Sequence, residues 1–261
     1  MKGRKVMKRI VLFLAALWLG IFVVNNGSAY AYAEAHSEVH ISNMGLDAGG
    51  GHTIQWLGDW KASSWASGWN SSGDAADEAK TDWADVSASV SIPFVSASTE
   101  ASITSFTADA QSDSKPENTV VETWGYGDSW LHNQFKITGG TGTVGVTASM
   151  DFSAALSGDA DALGWFDVSY WVLCDIWDSA GNEWWLQDYD WVTGSNTSFS
   201  RAYGGPLAGT FNLEFDKTYD IQWYSAAATS AATVPEPATI LLLSTGLFGL
   251  AGLGRKNLRK R

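Results

Sequence analysis

The sequence predicts an all-β protein: a single β-sandwich or jelly-roll-like domain, flanked by a cleaved signal peptide and a C-terminal membrane or sorting helix. Three observations carry this. Short apolar or alternating runs recur at 86–92, 120–124, 131–138, 144–152, 165–177, 183–192, 209–215 and 219–224. Turn-forming clusters separate them, at 125–128, 139–142, 157–159, 178–182, 194–196 and 204–206. Period-two runs punctuated by Gly, Asn, Asp and Ser are the mark of half-buried strands joined by tight turns. The third observation is how little helical signal there is. One helix is expected over 74–83, where Ala75, Ala79 and Trp83 fall at i, i+4, i+8 and Asp74 favours the first turn.

Both ends of the 261-residue chain depart from this pattern. Lys2, Arg4, Lys5, Lys8 and Arg9 precede an apolar run at 10–24, and small residues follow at Ala29, Ala31 and Ala33. This is the layout of a secretory signal. Its apolar run spans about 22 Å as a helix, short of the ~30 Å hydrocarbon core, so cleavage by signal peptidase after translocation is expected, with the mature chain starting near Tyr32. At the other end an Ala/Ser/Thr linker at 227–233 leads to Val234-Pro235-Glu236-Pro237-Ala238. An apolar stretch to Gly254 and a basic end at 255–261 follow. By the positive-inside bias the basic end stays cytoplasmic and the upstream chain is exported through the translocon. The apolar stretch is short and rich in Gly, which suits temporary retention.

These three contiguous elements resemble the PEP-CTERM sorting signal of Gram-negative bacteria. The resemblance covers 234–261 and implies that a membrane-embedded exosortase recognises Pro235-Glu236-Pro237 and removes the tail. The same tail also goes by the label ice-binding protein C-terminal domain, which says nothing of ice. The resemblance further implies a cell-surface, outer-envelope or extracellular-matrix destination, often in company with exopolysaccharide and biofilm. It implies nothing about the passenger domain, 32–226.

Within the passenger region the charge is lopsided. Between Tyr32 and Pro235 there are six Lys or Arg against twenty-seven Asp or Glu, a net of −21. Such a field repels a phosphate backbone and argues against nucleic-acid partners. The aromatic content points elsewhere. Around the turn at 178–182, one side of the first strand carries Trp165, Asp167, Trp171, Asp175 and Trp177, and the return strand carries Trp185, Gln187, Tyr189 and Trp191 on alternate positions. If these sides coincide, Trp165, Trp171, Trp177, Trp185 and Trp191 form a strip interleaved with acids and amides. Such a strip suits a polysaccharide: flat apolar faces meet sugar C–H surfaces, and carboxylates or amides meet hydroxyls. The plainer alternative is that the same indoles pack a second core face. Trp56, Trp60, Trp65 and Trp69 form another cluster, on a helix face, on edge strands or in loops.

Signals for chemistry are sparse, and no catalytic residue is assigned. His36 and His40 bracket Glu38 without H-E-x-x-H order, His52 and His132 stand apart, and no G-x-S-x-G elbow occurs. Gly140-x-Gly142-x-x-Gly145 precedes an alternating run and reads as a turn. Asp188 and Asp190, with Glu183, Asp167 and Asp175, offer paired carboxylates, so the second reading is a β-sandwich glycoside hydrolase or lyase. Asp159 and Asp161, and Asp47 before the glycines at 49–51, are weak calcium candidates; no other cofactor is indicated. Cys174, the only cysteine, lies in the apolar register and reads as a buried thiol.

Overall fold

The computed structural model describes residues 31–116 and 121–233. The expected signal peptide up to Tyr30, the whole sorting segment from Val234 to Arg261, and 117–120 lie outside the described residues. Tyr32–Thr233 form one unit. It contains eleven strands and, among the described residues, no helix: β1 (Ala33–Asp47), β2 (Thr53–Trp56), β3 (Lys61–Asn70), β4 (Ala75–Asp82), β5 (Val86–Ile92), β6 (Val95–Ser102), β7 (Thr107–Ser114), β8 (Glu122–Thr138), β9 (Thr143–Asp178), β10 (Glu183–Glu214) and β11 (Thr218–Thr233).

All strand pairs are antiparallel, in the order β4-β3-β8-β11-β9-β1-β7-β6-β5, with β10 on β9 and β2 on β8. The 36-residue β9 shapes the whole. One edge pairs with β10 along nearly its full length, while the other takes β1 at Thr147–Ala160 and β11 at Gly164–Asp178. Between these halves the ribbon bends. Thr197 faces Ala160 and Ser195 faces Trp165, so residues 161–164 of β9 stand opposite Asn196 alone, which adopts φ 51°. A bulge of this kind re-aims a strand and increases its twist.

The bend folds the sheet over itself into two facing layers, nearly closed. β11 lies over β7 and β1, β8 over β7 and β6, and β3 over β6 and β5. Phe166 fills the corner, fully buried. It fits because its neighbours at 158 and 194 are glycines: a Cβ at either would collide with the ring. Burying a ring of this size contributes about 2–3 kcal/mol. From there the apolar core runs through Ile41, Met150, Leu156, Ile176, Ile221 and Trp223.

A second part of the interior is polar and tightly packed. Ser112 and Ser114 of β7 bond the Thr229 hydroxyl of β11 at 2.8 and 2.9 Å, and Ser129 bonds Ser225 at 3.0 Å. Here the layers approach closely enough that Gly127 has no room for a side chain; a Cβ there would stand 2.7 Å from Thr99 Cγ2.

Several sequence expectations are corrected. Residues 74–83 form β4 and its flanks instead of a helix: spacings of four and eight are also even, so Ala75 and Ala79 share a strand face equally well, and pairing with β3 decides the matter. The glycines at 125–128 and 157–159 mark close approaches inside β8 and β9, and 204–206 runs within β10, so none of the three is a turn. Residues 227–233, expected as a linker, complete β11 between β8 and β9.

Candidate functional site: an aromatic trough

Directly paired residues of an antiparallel sheet project from the same face. Trp185 pairs with Asp175, Tyr189 with Trp171, Trp191 with Ser169 and Ser195 with Trp165, so the aromatic sides of β9 and β10 coincide. The face they share is the outer one. Trp171, Trp185 and Trp191 are 43%, 58% and 68% exposed, and Trp165 and Trp177 are half-buried; the core lies on the opposite side with Phe166, Val168, Val172 and Cys174. Packing as a second core face is therefore excluded for these five indoles.

The same face continues across β11 onto β8 and β3, where it carries a second bank. Trp124, Tyr126 and Trp130 alternate along β8, and Trp65 and Trp69 stand beside them on β3. Trp124 and Tyr126 are stacked, with planes 4° apart, and Trp65 meets Tyr126 edge-on at 5.3 Å. The sequence signal for this bank is the period-two alternation of β8, hidden when its glycines are taken for a turn. The cluster at 56–69 thus divides in two. Trp65 and Trp69 join the aromatic face; Trp56 and Trp60 pack together at 4.9 Å with Phe135 and Phe106 and close the end of the sandwich.

Between the banks β11 presents small residues, Ala226, Ala228, Ser230 and Ala232. The result is a trough of about 630 Å³, floored by Ser169, Ala226 and Ala228 and walled by Trp171, Tyr189 and Trp191 on one side and Tyr126 on the other. Beyond it the stripe of small residues on β11 continues to Ala232, ~20 Å from Ala226 along the strand. Tyr224 stands at its head, edge-on to Trp171 and with its hydroxyl 2.6 Å from that of Tyr126. Burial raises the pKa of both phenols, that of Tyr224 to about 12, so both stay neutral in ordinary solution.

Acids accompany the aromatics. Asp128 sits beside Ala226 and Asp167 beside Ser230. Burial lifts the Asp128 carboxyl above its usual range, and a hydrogen bond from Tyr126 offsets part of that. Burial and then the nearby Glu183 charge lift Asp175. One carboxylate oxygen of Asp167 and one of Asp175 are sealed from solvent with no hydrogen-bond partner.

The other predicted carboxylates do not join this face. Asp188 and Asp190 pair with Val172 and Tyr170 and so lie on the inner side of β10. They accept from the hydroxyls of Tyr170, at 3.4 Å, and Tyr203. The calcium candidates have separate roles. Asp161 braces the corner, accepting from the backbone N–H of Leu163 at 2.9 Å and of Tyr32 at 3.1 Å, while Asp159 pairs with Glu34 and Ser198 within the sheet. Asp47 accepts from Gly49 N–H at 2.8 Å. Among the described residues no group of three or more His, Cys, Asp or Glu is placed to hold a metal. Cys174 is buried in the core, where burial pushes its thiol well above its usual pKa.

Comparison with curated proteins and with solved structures returns no match. Residues 233–256 match the family model for the PEP-CTERM protein-sorting motif. By that tail, the chain is an exported surface protein of the exosortase-sorted kind.

Proposed function

We propose that the domain binds an extracellular polysaccharide along the β11 trough, and that it serves as a matrix or exopolysaccharide-associated protein of a Gram-negative surface or biofilm. The observation that carries this reading is the pair of aromatic banks flanking a floor of Ala and Ser on a solvent-facing sheet. Indole and phenol faces take up the apolar surface of a sugar ring, and the interleaved acids, amides and hydroxyls take its hydroxyl groups. A contiguous aromatic surface of this extent calls for a partner. Exosortase sorting delivers the domain to the compartment where such polymers lie.

The reading is of binding, not cleavage, and calls for no cofactor. The carboxylates best spaced for a catalytic pair, Asp188 and Asp190, project from the inner side of β10 and are engaged by tyrosine hydroxyls. The test is affinity electrophoresis of the isolated domain through gels containing different polysaccharides. At least one polymer is expected to retard the native domain. Trp171→Ala and Trp191→Ala each weaken that retardation about tenfold, and Ala228→Trp, which fills the trough from its floor, abolishes it while the far-UV spectrum is unchanged. Equal mobility of the native domain and Ala228→Trp in every polymer overturns the proposal.

A further inference from the structure

We infer that the trough holds the end of a polysaccharide chain, its terminal sugar residue lodged against Tyr224, and does not grip a chain that runs through it. This rests on the polysaccharide reading and goes beyond it, because aromatic platforms alone do not choose between a chain end and an internal segment.

The walls make the choice. Tyr126 of β8 meets Tyr224 of β11 hydroxyl to hydroxyl at 2.6 Å, and Tyr224 in turn lies edge-on to Trp171 of β9, with ring centroids 5.8 Å apart. Tyr189 of β10 stands directly beside Trp171, and Trp191 beside Ser169 of the floor. These side chains form a horseshoe around Ala226, Ala228 and Ser169, and its closed end is the Tyr224 corner. Behind that corner the ridge continues, because Tyr224 is flanked across the sheet by Trp130 and Leu173. Ala226 is only 5% exposed although it lies on the outer face, whereas Ala228, two residues further along, is half-buried. The trough therefore stops at Tyr224.

The other end differs. Past Ala228 the next row across β11, β9 and β10 is Ser230, Asp167 and Thr193, none of them aromatic. An internal segment has chain leaving it in two directions and needs two exits; a terminal residue needs one. The volume of about 630 Å³ also falls within the ~300–1,000 Å³ of pockets that enclose a small molecule.

The polar groups at the closed end point the same way. A hydroxyl carries one proton and two lone pairs, so the bond between Tyr126 and Tyr224 leaves an acceptor lone pair on each. A terminal residue brings a free hydroxyl that can donate to them. In an internal residue the same oxygen belongs to the glycosidic link and has no proton to give, so the acceptors it covers go unpaired, which a site built around a hydroxyl penalises.

The experiment takes mixed-linkage β-glucan, xylan, glycol chitin and dextran, each intact and after partial acid hydrolysis that multiplies its chain ends about tenfold, and titrates them calorimetrically into the domain at equal mass. At least one polymer is expected to gain about tenfold in affinity per unit mass on hydrolysis, in step with its ends. Tyr224→Ala, which opens the corner, is expected to bind the two forms equally by mass. Tyr224→Phe keeps the ring and gives up one hydroxyl, and is expected to retain a smaller preference for the hydrolysed form. The comparison of the two forms by the native domain decides the matter even where a variant fails to fold. Equal affinity by mass for both forms, or a full preference in folded Tyr224→Ala, overturns the inference and leaves the trough reading standing. Binding of no polymer in either form refutes this inference, and affinity electrophoresis against further polymers then decides the trough reading separately.

Discussion

The hydroxyls of Tyr126 and Tyr224 lie 2.6 Å apart and tie β8 to β11 across the head of the trough. The Asp128 charge close by adds to the rise in the Tyr126 pKa. Tyr126→Phe and Tyr224→Phe each remove the bond between the two hydroxyls and are each expected to cost about 1 kcal/mol, read from urea midpoints. The pair also sets an alkaline limit. A phenol whose pKa is raised on folding contributes stability that is intact below its unfolded value, ~10, and is lost as pH rises through its folded one. Native stability is therefore expected to fall above about pH 10, and the Tyr126→Phe/Tyr224→Phe double variant to show a shallower fall. Parallel curves would refute the linkage.

At the far end of the ribbon, one carboxylate organises the β9–β10 turn. Asp178 is buried; its Oδ1 accepts from Ala180 N–H at 2.8 Å and Asn182 N–H at 3.0 Å, and its Oδ2 from Asn182 Nδ2 at 2.8 Å and Lys217 Nζ at 2.7 Å. The Asn182 side chain, and then Lys217, hold it well below the usual carboxylate range. Because this pKa is depressed on folding, its stabilisation is present above the unfolded value of ~3.9 and is lost as pH falls through the folded one. Asp178→Asn preserves the Oδ1 acceptor and removes the charge. Its melting temperature should lie several degrees below native at neutral pH and converge with it in strong acid; a constant gap across pH would assign the loss to packing alone.

How much of this was readable beforehand depends on side-chain size. β5 could be placed to the residue, and β9 and β10 could be recognised with their aromatic sides, because large side chains at period two leave an unambiguous pattern. β6 and β7 could not. Apart from Val95 their inward positions are Ala, Ser and Thr, which join the opposite layer through hydroxyl bonds such as Ser112 to Thr229, so no hydrophobic alternation marks them. Glycine misled for a related reason: Gly125 and Gly127 are required where the two layers nearly touch, yet in a sequence they look like a turn. The first bank of the trough was legible and the second was concealed by that reading. Only the pairing of β11 between β8 and β9 brings the banks together, and no local pattern encodes it.

On the other layer, His36 Nδ1 stands 2.6 Å from Asp113 Oδ1 and Nε2 lies 3.8 Å from Glu38. The Asp113 bond raises the His36 pKa against the opposing effect of burial. Burial also works against Asp113, but the bond from His36 holds it below its ordinary value. The histidine's contribution is complete below its unfolded value of ~6.5 and fades as pH rises through the raised one, while that of Asp113 is present above ~3.9. The pair is thus strongest in mildly acidic solution. His36→Gln should melt below native at about pH 5.5 and approach it by about pH 9; thermal scans at the two values check this, and a difference that grows with pH would contradict it.

The corner offers the sharpest test of how the sandwich closes. Phe166 is accommodated because residues 158 and 194 lack side chains, and the bend beside it lets one ribbon serve both layers. Gly158→Ala places a methyl group where the ring now lies, and overpacking of this kind costs about 1–3 kcal/mol. Phe166→Leu alone also destabilises, by loss of buried surface. If the two positions meet only through this contact, the smaller side chain makes room for the methyl, and the double variant is less destabilised than the sum of the single ones. A coupling of about 1 kcal/mol or more in urea titrations is expected. Strict additivity would mean that Gly158 is needed for its backbone and not for the space it leaves, and the bend would then require a different explanation.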